Sequence, residues 1–424
     1  MRVVATAGHV DHGKSTLIRH LTGTDPDRLA EEHRRGLTID LGFAATTLPS
    51  GAEVGFVDVP GHARFVKNML AGVGAVDACM FVVAANEGWK PQSEEHLRIL
   101  DLLGTGHGGI VVTKVSLVDR DSLELVAMEI ADAVKGTFLE GAETVEVDVE
   151  AGIGIEGEAG LVSMLERLVA STPQAVDSGR PRLFVDRSFA LAGAGTVVTG
   201  TLTGGRLQVG DRLVLEPGGN KVRVRGLQSH GRAFSEASPG RRLAVSLAGI
   251  SHHEVRRGQA LVREGQWHPT RRLDAQLRVL TSLGRGVGRK GAFVGHFGSG
   301  EYPLRLSVLG GLSEIEPGES GFVRLRLPVA LALMPGNRYI LRESGRAETL
   351  GGGEVLDIAP VLPVSKARPS RSVERVIQER GFVEAGELER LTGERRAPDL
   401  GELVADPGAL SRARVALGEK VSRA

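Results

Sequence analysis

Through about residue 175 the chain alternates short apolar, β-branched runs with segments of helical periodicity. Arg2–Ala7 precedes Ser15–Leu21, Glu53–Asp58 precedes Ala63–Leu70, and Met80–Ala85 precedes Ser93–Leu102. Gly109–Thr113 is a further apolar run, and Leu161–Ala170 reads as a closing helix. Buried strands punctuated by helices predict a parallel α/β sheet. From Arg182 the texture changes. Leu183–Ala190, Thr196–Leu202, Asp211–Glu216 and Lys221–Leu227 are short strands at hairpin spacing between glycine-rich turns, and similar runs extend from Leu273 to about Pro360. That is all-β texture, long enough for two barrels with a break near Gly265. Pro363–Ser370 reads as a linker, and Ser372–Arg380 and Ala385–Leu391 as two short helices around Gly381, the start of a helix-turn-helix. The expected layout is an α/β domain over 1–175, β-barrels over 181–265 and 266–362, and a short α-helical, partial winged-helix segment over 371–424.

Charge changes this picture. The 52 Lys+Arg and 52 Asp+Glu cancel overall. By region they do not: residues 1–175 carry a net −12, 176–370 a net +12, and 371–424 are balanced. A basic middle part hints at a polyanionic partner. The one cysteine, Cys79, lies in an apolar run, so a disulfide framework is excluded and a reducing compartment is expected. No stretch approaches 18 apolar residues, and Met1–Gly8 is broken too soon for a signal peptide. A cytoplasmic protein with no membrane contact is the expectation.

Candidate chemistry is concentrated near the N-terminus. Gly8-His9-Val10-Asp11-His12-Gly13-Lys14-Ser15, followed by Thr16, is G-x-x-x-x-G-K-[ST] between a predicted strand and helix. Backbone N–H groups of such a loop curl around phosphate oxygens, and the helix N-terminus adds positive potential. Lys14 would reach the β- and γ-phosphates, and the Ser15 hydroxyl would ligate Mg²⁺. Asp58-Val59-Pro60-Gly61-His62 ends the second predicted strand. Asp58 would hold the metal, Gly61 N–H the γ-phosphate, and His62 would orient the attacking water. Between them lies Arg35–Asp40, where Thr38 would sense phosphate and metal together. These motifs in this order are those of a P-loop GTPase using GTP/GDP and Mg²⁺. His252-His253-Glu254 invites a metal reading, but consecutive strand residues face opposite ways and no further ligand cluster completes a shell.

The string Gly8–Ser15 with its two histidines, together with DVPGH, resembles the elongation factor Tu-like translational GTPases. Arg35–Gly42 (RGLTIDLG), Phe65–Gly74 (FVKNMLAGVG), Ala85–Leu97 (ANEGWKPQSEEHL) and Gly193–Thr201 (GAGTVVTGT) resemble more closely the selenocysteine-specific, SelB-type elongation factors. The resemblance runs from Met1 to about Ser370. It implies a G domain followed by two antiparallel β-barrels in a monomer that binds selenocysteinyl-tRNA and hydrolyses GTP on the ribosome. Lys14, Gly61 and His62 are then the catalytic positions. It also implies an aminoacyl pocket of Asp40, Arg187 and Arg257, whose guanidinium groups would favour an ionised selenol over a serine hydroxyl.

Two departures stand out. The guanine-reading segment, Asn/Thr-Lys-x-Asp in such proteins, is Thr113-Lys114-Val115-Ser116 here. Losing a charged acceptor would cost about 1.5–3 kcal/mol, and Asp119 could substitute only by a register slip. Where relatives have Ser-Ala before the closing helix, this chain has Asp148-Val149. An Asp there either restores a base contact from the other side or is a drifted surface residue, the reading favoured at this level. Reduced guanine selectivity is therefore expected, and a decayed carrier with little GTP turnover is the alternative function. The second departure is the tail. Only some 54 residues follow the linker, with balanced charge, where the family has several winged-helix modules gripping an mRNA hairpin. A truncated or split product, or another route to mRNA, is expected, with no strong hairpin binding.

Overall fold

The computed structural model describes all residues except 28–29, 36–37, 63–64, 75, 347 and 423–424. Gly36 and Leu37 of the RGLTIDLG string, and the first two residues of the helix expected from Ala63, lie outside the described residues. The chain forms two compact units, one of residues 1–215, 220–261 and 296–301, the other of 216–219, 262–295 and 302–424.

The first unit begins with a six-stranded sheet. Its elements are β1 (Arg2–Ala7), α1 (Lys14–Thr22), α2 (Ala30–Arg35), β2 (Gly42–Thr47), β3 (Glu53–Asp58), α3 (Val66–Val73), β4 (Ala78–Ala84), α4 (Pro91–Leu102), β5 (Gly108–Thr113), α5 (Arg120–Ala133), β6 (Thr144–Glu146) and α6 (Leu161–Ser171). The strand order is β2-β3-β1-β4-β5-β6. Every neighbouring pair is parallel except β2–β3, an antiparallel edge hairpin. The expected all-parallel sheet is corrected there. Gly42–Thr47 is rich in small residues and carries no strand signal of its own. One core joins Val4, Phe56, Met80, Val82 and Val111 of the strands to Leu17 and Ile18 of α1 and Leu161, Met164, Leu165 and Leu168 of α6. Such a doubly covered sheet brings the loops after its parallel strands to one edge.

The same unit carries a barrel closed by Arg182–Phe184, Gly195–Thr203, Arg212–Glu216, Asn220–Ser229, Arg242–Ala248 and Ala260–Arg263. The single strand expected over Leu183–Ala190 is two. Arg182–Phe184 (β7) and Arg187–Leu191 (β8) both pair antiparallel with Gly195–Thr203 (β9), but the register shifts by one residue between them. A bulge of this kind re-aims the side chains that follow it, and Arg187 is the first of them.

The second unit is built on a closed six-stranded barrel spanning Thr270–Asp357. Helices Val373–Arg380, Ala385–Thr392 and Pro407–Ser422 follow, with a two-stranded wing of Phe382–Glu384 and Leu403–Ala405. Arg375 ties this segment to the barrel through Asp357 at 2.9 Å. Among the described residues no helix is long and apolar enough to cross a membrane.

Candidate functional site

The loop between β1 and α1 folds around two glycines whose positive φ angles other residues rarely adopt. Gly8 sits at φ +130°, and a Cβ there would lie 2.1 Å from the Val82 carbonyl oxygen. Gly13, at φ 87°, precedes α1, whose first turn receives no side-chain cap and no acidic residue. Its N–H groups are left for an anion. Loop shape is set from beneath by two buried histidines. Gly8 N–H donates to His96 Nδ1 at 3.2 Å, and His12 Nδ1 lies 3.3 Å from the Val82 carbonyl. Burial pushes both imidazoles down to about 3, so they stay neutral. Thr113, ending β5, donates to the His12 carbonyl at 2.8 Å.

A cleft of about 350 Å³ opens on this loop, lined by Val10, Asp11, Gly13, Lys14, Ser15, Thr16, Thr38, Gly61 and Lys114 among the expected residues. Lys14 is buried, and its ammonium donates to the carbonyls of Gly8, at 3.1 Å, and His9. Burial brings it down to about 8 despite Asp58, Asp11 and Asp27 nearby. Gly61 presses on the same place, since a Cβ there would meet Lys14 Nζ and the Val10 nitrogen at 2.6 Å each. His62 is half-buried beside Phe65, ring centroids 5.9 Å apart, and is not part of the cleft wall.

Beside Lys14 the oxygens form one chain. Thr6 and Ser15 hydroxyls donate to Asp58 at 2.7 and 2.6 Å. Ser15 and Thr38 hydroxyls are 3.0 Å apart, and Thr38 donates to Asp27 at 2.9 Å. These hard oxygen donors, two hydroxyls and two carboxylates, fit a small divalent cation of the magnesium type. Burial raises the pKa of Asp58, against the pull of the Ser15 and Thr6 hydroxyls and of Lys14, and burial takes Asp27 up to about 6. Glu32 accepts the N–H groups of Ile39 and Asp40, both at 3.0 Å, and so holds the segment that carries Thr38. Asp27 and Glu32 belong to no motif and escaped the sequence reading.

At the far end, Lys114 adopts φ 58° and pairs with Glu87 at 3.6 Å. Ser116 donates to Asp148, whose other oxygen accepts the N–H groups of Glu150 and Ala151 at 3.0 and 3.1 Å. Asp148 is 7% exposed. The drifted-surface reading of Asp148 is therefore corrected: a charge taken out of water needs partners, and this one has them. The Ser116 hydroxyl, then the loop's N–H groups, hold its carboxyl below the usual range. Asp119 is committed elsewhere, capping α5 by accepting Ser122 N–H at 2.8 Å.

The three expected aminoacyl-site residues meet in a second place. Arg187 donates to Asp40 at 2.8 Å and to the Leu41 carbonyl; Arg257 lies 4.0 Å from Asp40 and donates to Asn68 at 3.1 Å. Asn68, on α3, and Arg242 were not anticipated. Arg242 stacks on Phe43 at 3.3 Å and pairs in two-pronged fashion with Asp186. His252-His253-Glu254, read as strand residues, forms instead a single 3-10 turn with the two imidazole centroids 3.8 Å apart.

A phosphate loop, a switch-like hydroxyl-carboxylate chain and a six-stranded sheet joined to a β-barrel define a P-loop protein of the translational GTPase architecture. Residues 1–174 match the elongation factor Tu GTP binding domain, and 195–262 match elongation factor Tu domain 2. The chain belongs to the selenocysteine-specific elongation factor family. It is 40% identical over 355 residues to the selenocysteine-specific elongation factor of Desulfomicrobium baculatum, covering 84% of this chain and 55% of that protein. The Escherichia coli (strain K12) counterpart is 34% identical over 360 residues, covering 84% and 56%. The chain thus spans little more than half the length of these relatives. A crystal structure of a bacterial selenocysteine-specific elongation factor, EF-Sec, superposes with a TM-score of 0.85 at 30% identity, covering 99% of this chain and 72% of that one.

Proposed function

We propose that the protein binds GTP with Mg²⁺, carries selenocysteinyl-tRNA to the ribosome, and hydrolyses GTP to GDP and phosphate there. The observation that carries this reading is the Asp40–Arg187–Arg257 cluster, joined to the cleft's own switch segment through Thr38, Ile39 and Asp40. One segment touches both the phosphate end and the aminoacyl end. Bound nucleotide and bound aminoacyl group are thereby coupled without a long path.

In this proposal the loop N–H groups and Lys14 grip the β- and γ-phosphates, and Gly61 N–H holds the γ-phosphate. Magnesium, held by the Ser15 and Thr38 hydroxyls with Asp58, supplies charge neutralisation on the transferred phosphoryl group. His62 orients the attacking water once the ribosome moves it in from its place beside Phe65. Arg187 and Arg257 favour a selenolate over a neutral serine hydroxyl, with Asp40 setting their spacing. Residues 1–175 serve as the G domain, 181–265 and 266–362 as tRNA-facing barrels, in line with the net +12 of residues 176–370. We place the protein in the cytoplasm as a monomer. The test is ribosome-stimulated GTP hydrolysis with selenocysteinyl-tRNA against seryl-tRNA. Stimulation specific to the first supports the proposal; equal rates with both would refute the aminoacyl assignment.

A further inference from the structure

We infer that Ser116 and Asp148 together are the purine-edge reader, the carboxylate that selects guanine coming from the loop after β6 instead of the loop after β5. This deepens the guanine-nucleotide reading and rests on it. The placement follows from the sheet. β5 and β6 are adjacent and parallel, with Val112 opposite Glu146, and Val147 N–H donates to the Val112 carbonyl at 2.7 Å. Their C-terminal ends open side by side at the edge that carries the phosphate loop, where ligands of such sheets bind. Lys114, the first residue past β5, lines the nucleotide cleft. Ser116, two residues further on, and Asp148, two residues past β6, meet through the Ser116 hydroxyl.

The count of acceptors decides what the pair can recognise. A carboxylate offers about four acceptor positions. On Asp148, one oxygen takes two loop N–H groups and the other takes the Ser116 proton. The Ser116 N–H also serves this carboxylate, so its positions are filled by the chain and the base is met by the Ser116 oxygen that Asp148 orients. Ser116 has committed its only proton to Asp148, so its oxygen keeps two lone pairs and nothing to donate. A serine alone would be ambivalent, because its hydroxyl rotor can give or accept. Asp148 fixes the rotor and makes the pair acceptor-only. Guanine presents two donors on this edge, N1–H and the exocyclic amine. Adenine presents an unprotonated N1 and a C–H, which such a pair repels. The carboxylate missing at Ser116 and the extra one at Asp148 are therefore one change of position, with the chemistry retained.

The test is titration of the full chain with GDP, ADP and xanthosine diphosphate. Wild type is expected to prefer GDP to ADP by more than about 10³-fold, as sites built around substrate N–H groups do. Asp148→Asn keeps an oxygen for the loop N–H groups but loses the charge. Its GDP affinity should fall about 10- to 150-fold, the worth of a charge-assisted hydrogen bond. Its ADP affinity should stay within about twofold, which also reports an intact phosphate site, and xanthosine diphosphate should gain. The exchanged variant, Ser116→Asp with Asp148→Ser, should bind GDP about tenfold or more better than Asp148→Ser alone. An Asp148→Asn protein with the wild-type GDP:ADP ratio would overturn the inference, leaving Asp148 as a loop cap. An exchanged variant no better than Asp148→Ser would do the same. Wild type that is folded yet binds neither GDP nor ADP would instead refute the nucleotide reading itself.

Discussion

Replacing Lys14 with methionine should strengthen the nucleotide-free fold while removing nucleotide binding. The Lys14 side chain is 5% exposed, and burial holds its pKa at about 8 against an ordinary 10.5. At about 1.36 kcal/mol per unit, keeping the ammonium charged at neutral pH costs the fold about 3 kcal/mol. Removal strands the Gly8 and His9 carbonyls that it serves, which takes back about 1–3 kcal/mol. The net change is a gain of about 0–2 kcal/mol, since the methionine stem refills the apolar volume. The pH dependence carries the sign. The unfolded chain keeps this proton up to about pH 10.5, whereas the fold gives it up near 8. Between those values the unfolded state binds more protons, so wild-type stability rises with pH from this group, and Lys14→Met lacks that rise. Below pH 8 the difference between the two proteins is constant. The assay is nucleotide-free thermal unfolding of both proteins from pH 7 to 10, beside GDP titration at pH 7. GDP affinity should fall at least tenfold, the loss of one charged donor to phosphate. A Lys14→Met protein that melts several degrees below wild type at pH 7, with a parallel pH profile, would refute the premise that the apo fold strains to hold this charge.

Three further outcomes follow from the same site. Gly61→Ala places a methyl 2.6 Å from the Val10 nitrogen, which is backbone and cannot yield, so the loop after β3 must retreat. GTP affinity should then fall more than GDP affinity, measured as the ratio of the two dissociation constants. Arg187→Ala leaves Asp40 with Arg257 alone, and preference for selenocysteinyl-tRNA over seryl-tRNA should drop about tenfold in binding assays. Asp27 is raised to about 6 by burial, so between about pH 4 and 6 the fold binds more protons than the unfolded chain. Wild-type stability should therefore gain from this group as pH falls through 6, and the difference in melting temperature from Asp27→Asn should shrink over that interval.

The phosphate end of the site was legible in the sequence because its chemistry is local. Gly8–Ser15 and Asp58–His62 each sit on one strand-to-loop step, and backbone geometry alone brings Lys14, Ser15 and Gly61 to one cleft, with Asp58 bonded to Ser15 behind it. The barrels were legible as texture, but the bulge between β7 and β8 was not, since Leu183–Ala190 runs in apolar and polar blocks, with no clean alternation against which a one-residue shift would show. Asn68 and Arg242 depend on how α3 and the first barrel pack near Asp40 and Phe43, which no local pattern encodes.

Asp148 is the most instructive case. Each base-reading motif, taken by itself, looks impaired: a hydroxyl stands where a carboxylate belongs, and a carboxylate where a hydroxyl belongs. Motif reading scores positions one at a time and so counts two losses. The sheet joins them, because neighbouring parallel strands end together and their loops meet through the Ser116 hydroxyl and Asp148. A signal did exist in the sequence, since the two departures are complementary in chemistry and fall after consecutive strands of one sheet. It becomes visible only when the loops are treated as one acceptor set with a fixed number of lone pairs. On that count the decayed-carrier alternative loses the pair of residues that motivated it.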